Sequence, residues 1–335
     1  MRLVTRADFD GVVCGSLITL MEEIDSYLFV EPKFMQDGMV DIRQGDIIAN
    51  LPYHSDCSLW FDHHVTNEPA WLSHIGVEDR GSKIEDRSSI LHPPSSVVPG
   101  KGGFRLAPSA ARVVYEYYDP AGRRQQAEGS KRIQEGLKIL NSERMRYLLE
   151  ETDRIDAGQL VPEDVHHPEG YVLISMTLDG KRAEDEPYWL RLIELLRDHS
   201  LEETLKEPQV KRLCQQILDS QEKLKAILLE RTTLKGNVIF VDLRGIQDIP
   251  DGNRFLLYTL FPTGNISLRV ADDSQRPNTT AISVGYNIFN TTSKVNVGAL
   301  LEKHGGGGHK VVGSCRVLTS EAEKAVREIF EAIKE

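Results

Sequence analysis

The stretch CSLWFDHHVTN, Cys57 to Asn67, is an apolar run that ends in three titratable side chains, Asp62, His63 and His64. A carboxylate beside two imidazoles can bind a divalent cation or move a proton. Comparable residues recur along the chain. Asp8 and Asp10 follow RLVT in RADFDG, Asp46 opens DIIANL, and Asp153 and Asp156 close ETDRID. Taken singly, each has an ordinary explanation: a DxD after a strand is a helix cap with a turn, and a lone acid is a surface charge. Taken together, carboxylates mixed with imidazole suit Mn²⁺, Mg²⁺ or Zn²⁺, ions that activate water. A bound cation is also the simplest way to keep clustered carboxylates ionised.

A second constellation is KHGGGGHKVVGSC, Lys303 to Cys315. Four successive glycines leave backbone amides bare and free to take positive φ, which makes a nest for an anion. His309 and Lys310 stand at its rim. Between Ser267 and Arg316 six Lys/Arg face three acids, a local excess of positive charge on a chain whose net charge is −11. A phosphate-binding patch accounts for that excess.

These residues need elements to position them. RLVT, SYLFVE, DIIANL and CSLWF read as short strands, and GVVCGSLITLMEE as a helix whose Val12, Gly15, Ser16 and Thr19 permit close packing. Strands alternating with helical crossovers predict a parallel sheet with function at the strand C-termini. The Ser-, Pro- and Gly-rich stretch from Gly76 to Pro108 reads as a long loop. Helices are expected at SAARVVYEYY, across GLKILNSERMRYLLEETDRID, and from Gln209 to Thr233, where Val210, Leu213, Ile217, Leu224 and Leu228 share a face. After Gly236 the pattern restarts with strands NVIFVDL, NISLRV and TTAISVGYN and ends in a helix behind a Ser320 N-cap. The expected fold class is α/β in two domains: an N-terminal parallel-sheet domain over 1–160, a helical linker region over 161–234, and a smaller C-terminal α/β domain over 235–335.

Composition narrows the classes. The chain has 335 residues, 40% hydrophobic and 27% charged, which fits a globular protein too long for one core. Net charge of −11 excludes a uniformly basic nucleic-acid coat. Cys14, Cys57, Cys214 and Cys315 form no CxxC pair, so neither a zinc knuckle nor a disulfide scaffold is expected. The acidic start lacks the apolar core of a signal peptide, and no window approaches the ~18 apolar residues of a membrane span. A cytoplasmic location with no membrane partner is the expectation.

DHH and GGGH, in this order, resemble the DHH phosphoesterase family. Its first-domain marks here are DFDG, GDIIANLP, FDHH and TDRIDAG, and ISLRV and GGGGHKVVG match the DHH-associated C-terminal domain. The chain is most similar to the compact nanoRNase and bisphosphate-nucleotide phosphatase branch, also labelled exopolyphosphatase-related. The resemblance implies Asp8, Asp10, Asp46, His63 and Asp153 as ligands for one or two divalent ions, Mn²⁺ or Mg²⁺. It implies Asp62 and His64 as catalytic residues, the first supporting the site and the second contacting phosphate or leaving group. Arg269, Gly306, Gly307, Gly308 and His309 would bind substrate. The implied activity is metal-dependent hydrolysis of terminal phosphoester bonds in a short single-stranded oligonucleotide or a small nucleotide phosphate. An exopolyphosphatase and a decayed nucleotide- or RNA-binding protein are the alternatives, and a homodimer is an open option. One departure stands out. The phosphatase branches carry a histidine four residues before the first Asp of the DxD, where this chain has Val4. One of two metal positions is therefore expected to lack a ligand.

Overall fold

The apolar runs of the N-terminal half form one six-stranded sheet, seen here in a computed structural model. Its strands are β1 (Arg2–Thr5), β2 (Ser26–Phe29), β3 (Ile47–Ala49), β4 (Leu59–Asp62), β5 (Val97–Val98) and β6 (Gly102–Phe104), in the spatial order β2-β1-β3-β4-β6-β5. All neighbours are parallel except β5 against β6. The described residues are 1–74, 97–98, 100–119, 131–178, 180, 183–273 and 276–334.

The central parallel strands β3 and β4 are buried on both faces, which is why they read as unbroken apolar runs rather than alternating ones. From β1 the chain steps outward to β2, then returns as β3 on the other side of β1. This reversal of direction opens a crevice between the C-terminal ends of β1 and β3, the place where such sheets hold their ligands. The helix Phe9–Met21 leaves that crevice and is buried from Phe9 to Leu20. The Ser16 hydroxyl donates to the Ile193 carbonyl at 3.0 Å, tying this helix to the helix Glu186–Asp198.

Four expectations change. Part of the expected loop Gly76–Pro108 is sheet: Gly102–Phe104 pairs with β4, and residues 75–96 and 99 lie outside the described residues. Gly102 has φ +114, and a Cβ there would stand 2.0 Å from the Trp60 carbonyl oxygen, so only glycine lets this strand in. Second, the single helix expected over 136–156 is two, Lys131–Leu140 and Glu143–Asp156. Ser142 separates them by capping the second through the Met145 amide. Third, Ser320 is not the cap of the last helix, because a 3₁₀ turn over Thr319–Glu321 precedes Ala322–Ile333. Fourth, the stretch 161–234 is not a separate linker region. The chain divides into Met1–Leu160 with Glu169–Leu213, and Val161–Pro168 with Cys214–Glu335. The helix Pro208–Arg231 spans that division. Tyr188, Trp189, Leu192, Ile193, Leu195 and Leu196 are buried along Glu186–Asp198, which makes that helix part of the first unit's core.

The second unit is built on another six-stranded sheet: β7 (Thr232–Lys235), β8 (Val238–Asp242), β9 (Ile266–Asp272), β10 (Thr279–Tyr286), β11 (Gly307–Gly308) and β12 (Val312–Leu318). The order is β11-β12-β10-β9-β8-β7, and β8 with β9 is the parallel pair. Ala325, Val326, Ile329 and Ile333 of the last helix recur at helical spacing and pack on Val238, Ile266, Leu268, Val270, Ile282 and Val284. Leu224 and Leu228 of Pro208–Arg231 join Ile239, Val241 and Leu243 in a second cluster. Two α/β domains with a mostly parallel first sheet are thus present. No helix among the described residues is long and apolar enough to cross a membrane.

Val4 is fully buried in β1, in an apolar cluster with Val30, Ile48, Leu51 and Trp60. A histidine there would meet hydrocarbon rather than a cation. Val4→His is expected to cost about 2 kcal/mol or more, from overpacking and an unpaired ring nitrogen. It should lower the urea midpoint and leave the Mn²⁺ stoichiometry measured by calorimetry unchanged.

Candidate metal centre

The crevice between β1 and β3 collects the polar residues. Asp8, the first acid after β1, is the N-cap of Phe9–Met21 and accepts the Gly11 amide at 2.9 Å. Its ordinary role as a helix cap is therefore real, and it also faces the crevice: Asn50 at the end of β3 donates its Nδ2 to Asp8 Oδ1 at 3.0 Å. Asp10 lies one position into the helix and is 2% exposed. Its two oxygens accept the Ala110 and Ala111 amides, both at 2.9 Å, at the N-terminus of the helix Ala110–Tyr118. Bare amides at a helix start favour a carboxylate, and here they fix its orientation.

His63 follows β4. Its Nδ1 is 3.0 Å from the Ala107 carbonyl oxygen, which can only accept, so Nδ1 carries the proton. Nε2 is then the bare atom. It is buried without a hydrogen-bond partner, 3.3 Å from Asp156 Oδ2 and 3.8 Å from Asp10 Oδ2. One donor atom from each of Asp10, His63 and Asp156 lies within 4.8 Å of the others.

A lone pair aimed at two carboxylates is unfavourable unless something positive lies between them. Burial, reinforced by the charges of Asp156 and Asp8, pushes the Asp10 carboxyl well above the usual carboxylate range, against the pull of the two amides. Burial likewise raises Asp156, opposed by His63. At about 5 Å two carboxylates repel by roughly 3 kcal/mol for an effective dielectric near 20. A divalent cation removes this repulsion and gives Nε2 a partner. Two carboxylate oxygens and an imidazole nitrogen are donors that Mn²⁺ and Mg²⁺-like ions accept. The residues fit the ion.

Asp62 is fully buried at the end of β4 and accepts His64 Nδ1 at 2.8 Å and Asn67 Nδ2 at 2.7 Å. That first hydrogen bond raises the His64 pKa above the ordinary histidine value. The His64 side chain is 44% exposed, so its second nitrogen is open to a ligand.

Two expected ligands are elsewhere. Asp46 opens β3 at its N-terminal end, roughly 13 Å of extended chain before Asn50. Its carboxylate binds Arg2 Nε at 3.1 Å, Arg2 Nη2 at 2.5 Å and the Arg43 amide at 2.8 Å. Asp153 accepts Ser109 Oγ at 2.6 Å and Arg112 Nε at 2.8 Å, with Arg112 Nη2 on the same oxygen. It braces the start of Ala110–Tyr118 and stays out of the cluster. Asp156, one helical turn later, is the acid that reaches it. Asn50, Arg6 and Asn67 were missed by sequence reasoning, and Asp156 was named among the clustered acids but not among the expected ligands. A usable signal existed for Asn50: it is the first polar residue after IIA, as Asp62 is after LWF.

In the second unit Arg269 lies on β9 opposite Ser283 and Val241 and is exposed. The glycine run is less bare than expected. The amides of Gly305 and Gly306 donate to Glu302 and Leu301 carbonyls and cap the short helix Val297–Glu302, and the His309 amide donates to Val312. Gly307 and Gly308 form β11 against Ser314 and Gly313. Close packing demands two of these glycines: a Cβ on Gly306 would lie 2.2 Å from the Ser314 carbonyl oxygen, and one on Gly308 2.4 Å from that of Val312. An anion nest of four free amides is thus replaced by a packed turn that presents the exposed His309 and Lys310.

No family model and no curated protein matches the sequence. Solved structures do. A pGpG-specific phosphodiesterase, PggH of Vibrio cholerae, is 30% identical with a TM-score of 0.77, covering 99% of this chain and 98% of that one. The Mn²⁺ complex of RecJ from Thermus thermophilus is 15% identical at a TM-score of 0.50, over 99% of this chain but 52% of RecJ. The DHH domain of a member of a ribosomal-protein family is 14% identical at 0.51, over 100% and 87%. The last two show the shared fold. The chain belongs to the DHH phosphoesterase family and is a metal-dependent hydrolase of phosphoester bonds.

The two helix acids separate in a binding experiment. Asp156→Asn is expected to weaken Mn²⁺ binding by more than the roughly 10–100-fold typical of a supporting residue. Asp153→Asn should stay within that range and instead lower the melting temperature. Calorimetric titration and thermal melts read the two effects.

Proposed function

We propose that this protein hydrolyses the internal phosphodiester of a 5′-phosphorylated diribonucleotide such as pGpG. The supporting observation is the end-to-end likeness, at 30% identity, to a phosphodiesterase specific for pGpG. In the reaction a water oxygen bonds to the bridging phosphorus, the P–O3′ bond breaks, and the O3′ takes a proton, giving two nucleoside 5′-monophosphates.

Asp10, His63 and Asp156 would hold the divalent ion. When bound, it supplies positive charge to the phosphate and makes water more acidic. The remaining work belongs to the chain. The Ala110 and Ala111 amides keep Asp10 oriented, and Ala107 keeps His63 in the tautomer that leaves Nε2 bare. Asp62 binds His64 through Nδ1 and favours its protonated form. His64 is then a proton donor for the departing O3′ or a contact for a phosphoryl oxygen. Arg269, His309 and Lys310 add positive charge on the second unit, and sequence-independent contacts to phosphate are the role proposed for them. Manganese as the working ion and a nucleotide rather than polyphosphate substrate belong to the same reading.

With Mn²⁺ present, pGpG should yield GMP faster than longer RNA is shortened, and inorganic polyphosphate should persist. Release of orthophosphate from polyphosphate with pGpG intact would overturn the assignment. His64→Ala is expected to lower kcat by about 10²–10⁴-fold while leaving Mn²⁺ affinity unchanged.

A further inference from the structure

Asp8 is saturated. Its Oδ1 accepts the Gly11 amide at 2.9 Å and Asn50 Nδ2 at 3.0 Å, and its Oδ2 accepts Arg6 Nη1 at 2.9 Å. The guanidinium is steadied from its far side by Glu31, 3.7 Å from Nη2. Arg6 Nε is buried with no partner. Asn50 is held just as firmly: it is 1% exposed, its amide donates to Phe61 at 3.0 Å, and it adopts φ +58, a left-handed conformation that asparagine tolerates. Because an ionised carboxylate only accepts, the atom facing Asp8 is Nδ2. The bare atom is Oδ1, which is buried and unpartnered.

We propose that the Arg6 guanidinium supplies, at Asp8, the positive charge that a second divalent ion would otherwise have to supply, so the centre is built for one cation. The proposal rests on the reading of Asp10, His63 and Asp156 as the metal centre. Asp8 sits beside those carboxylates and adds its charge to theirs, raising Asp10. Neutralising it with a fixed guanidinium needs no second ion. A second cation would compete with Arg6 for Oδ2 and would stand against its charge. Asn50 would offer it no charge but only a neutral oxygen, because its Nδ2 is spent on Asp8. A guanidinium cannot acidify water, so it replaces the charge of a second ion and not its chemistry.

The test is calorimetric Mn²⁺ titration of the full-length chain without substrate, with unbound Mn²⁺ counted independently by electron paramagnetic resonance. Wild type is expected to take up one equivalent. Arg6→Ala should free Asp8 and admit a second equivalent, about tenfold or more weaker than the first. Arg6→Lys, which keeps the charge, should remain at one equivalent. Arg6→Gln, which keeps a donor without charge, should follow Arg6→Ala and serves if Arg6→Ala does not fold. Two equivalents in wild type, or one in both uncharged variants, would overturn the role of Arg6 alone. No uptake by wild type would overturn the metal-centre reading and this proposal with it.

Discussion

Three carboxylates, Asp8, Asp10 and Asp156, converge on one crevice, and the surrounding structure is arranged to tolerate their repulsion. Asp10 lies at a helix N-terminus with an amide on each oxygen. Asp8 has an arginine, an asparagine and its own helix amide. Hydrogen bonds to a charged group are worth about 1.5–3 kcal/mol each, enough to offset a repulsion of similar size between neighbouring acids. Asp156 faces the bare Nε2 of His63, a lone pair that offers it no proton. That is where a divalent ion has most to contribute.

This arrangement depends on strand direction. Parallel β1, β3 and β4 deliver Asp8, Asn50 and Asp62–His63 to the same edge of the sheet. The helix Ala110–Tyr118 then brings its N-terminus to that edge, braced by the pair of Asp153 with Arg112 and by the Ser109 cap. Asp153 therefore acts on the site at two removes: it holds the helix that holds Asp10. Such a residue is easily mistaken for a ligand in a sequence, since both roles call for an acid close to the site.

The glycine run of the second unit shows the same ambiguity. Consecutive glycines read as bare amides ready for an anion. In the fold most of them serve the chain itself, closing a short helix and letting β11 lie against β12, where a side chain at Gly306 or Gly308 would collide. What the turn offers to solvent is His309 and Lys310. Charge, rather than a cage of amides, is its contribution to holding phosphate.

Much was legible in the sequence. β1 and the helix after it followed from an apolar run and its capping acid, and β10 from period-two alternation. Asp62, His63 and His64 were legible because the first polar residues after a buried strand stand at its end. Asp46 and Asp153 were misplaced for a common reason. Residue type says that an acid is present, but not which end of a strand it occupies or whether an arginine has already claimed it. Asn50 escaped notice because an amide carries no charge to advertise it, and its left-handed backbone appears only in the fold. The sequence by itself determined the elements, the two-domain order and the chemistry available, because these follow from local periodicity and side-chain type. Only the tertiary structure decided that Asp156 rather than Asp153 meets His63, and that Arg6 meets Asp8. Those choices are matters of a few ångströms between elements far apart in the chain, set by helix length and strand direction.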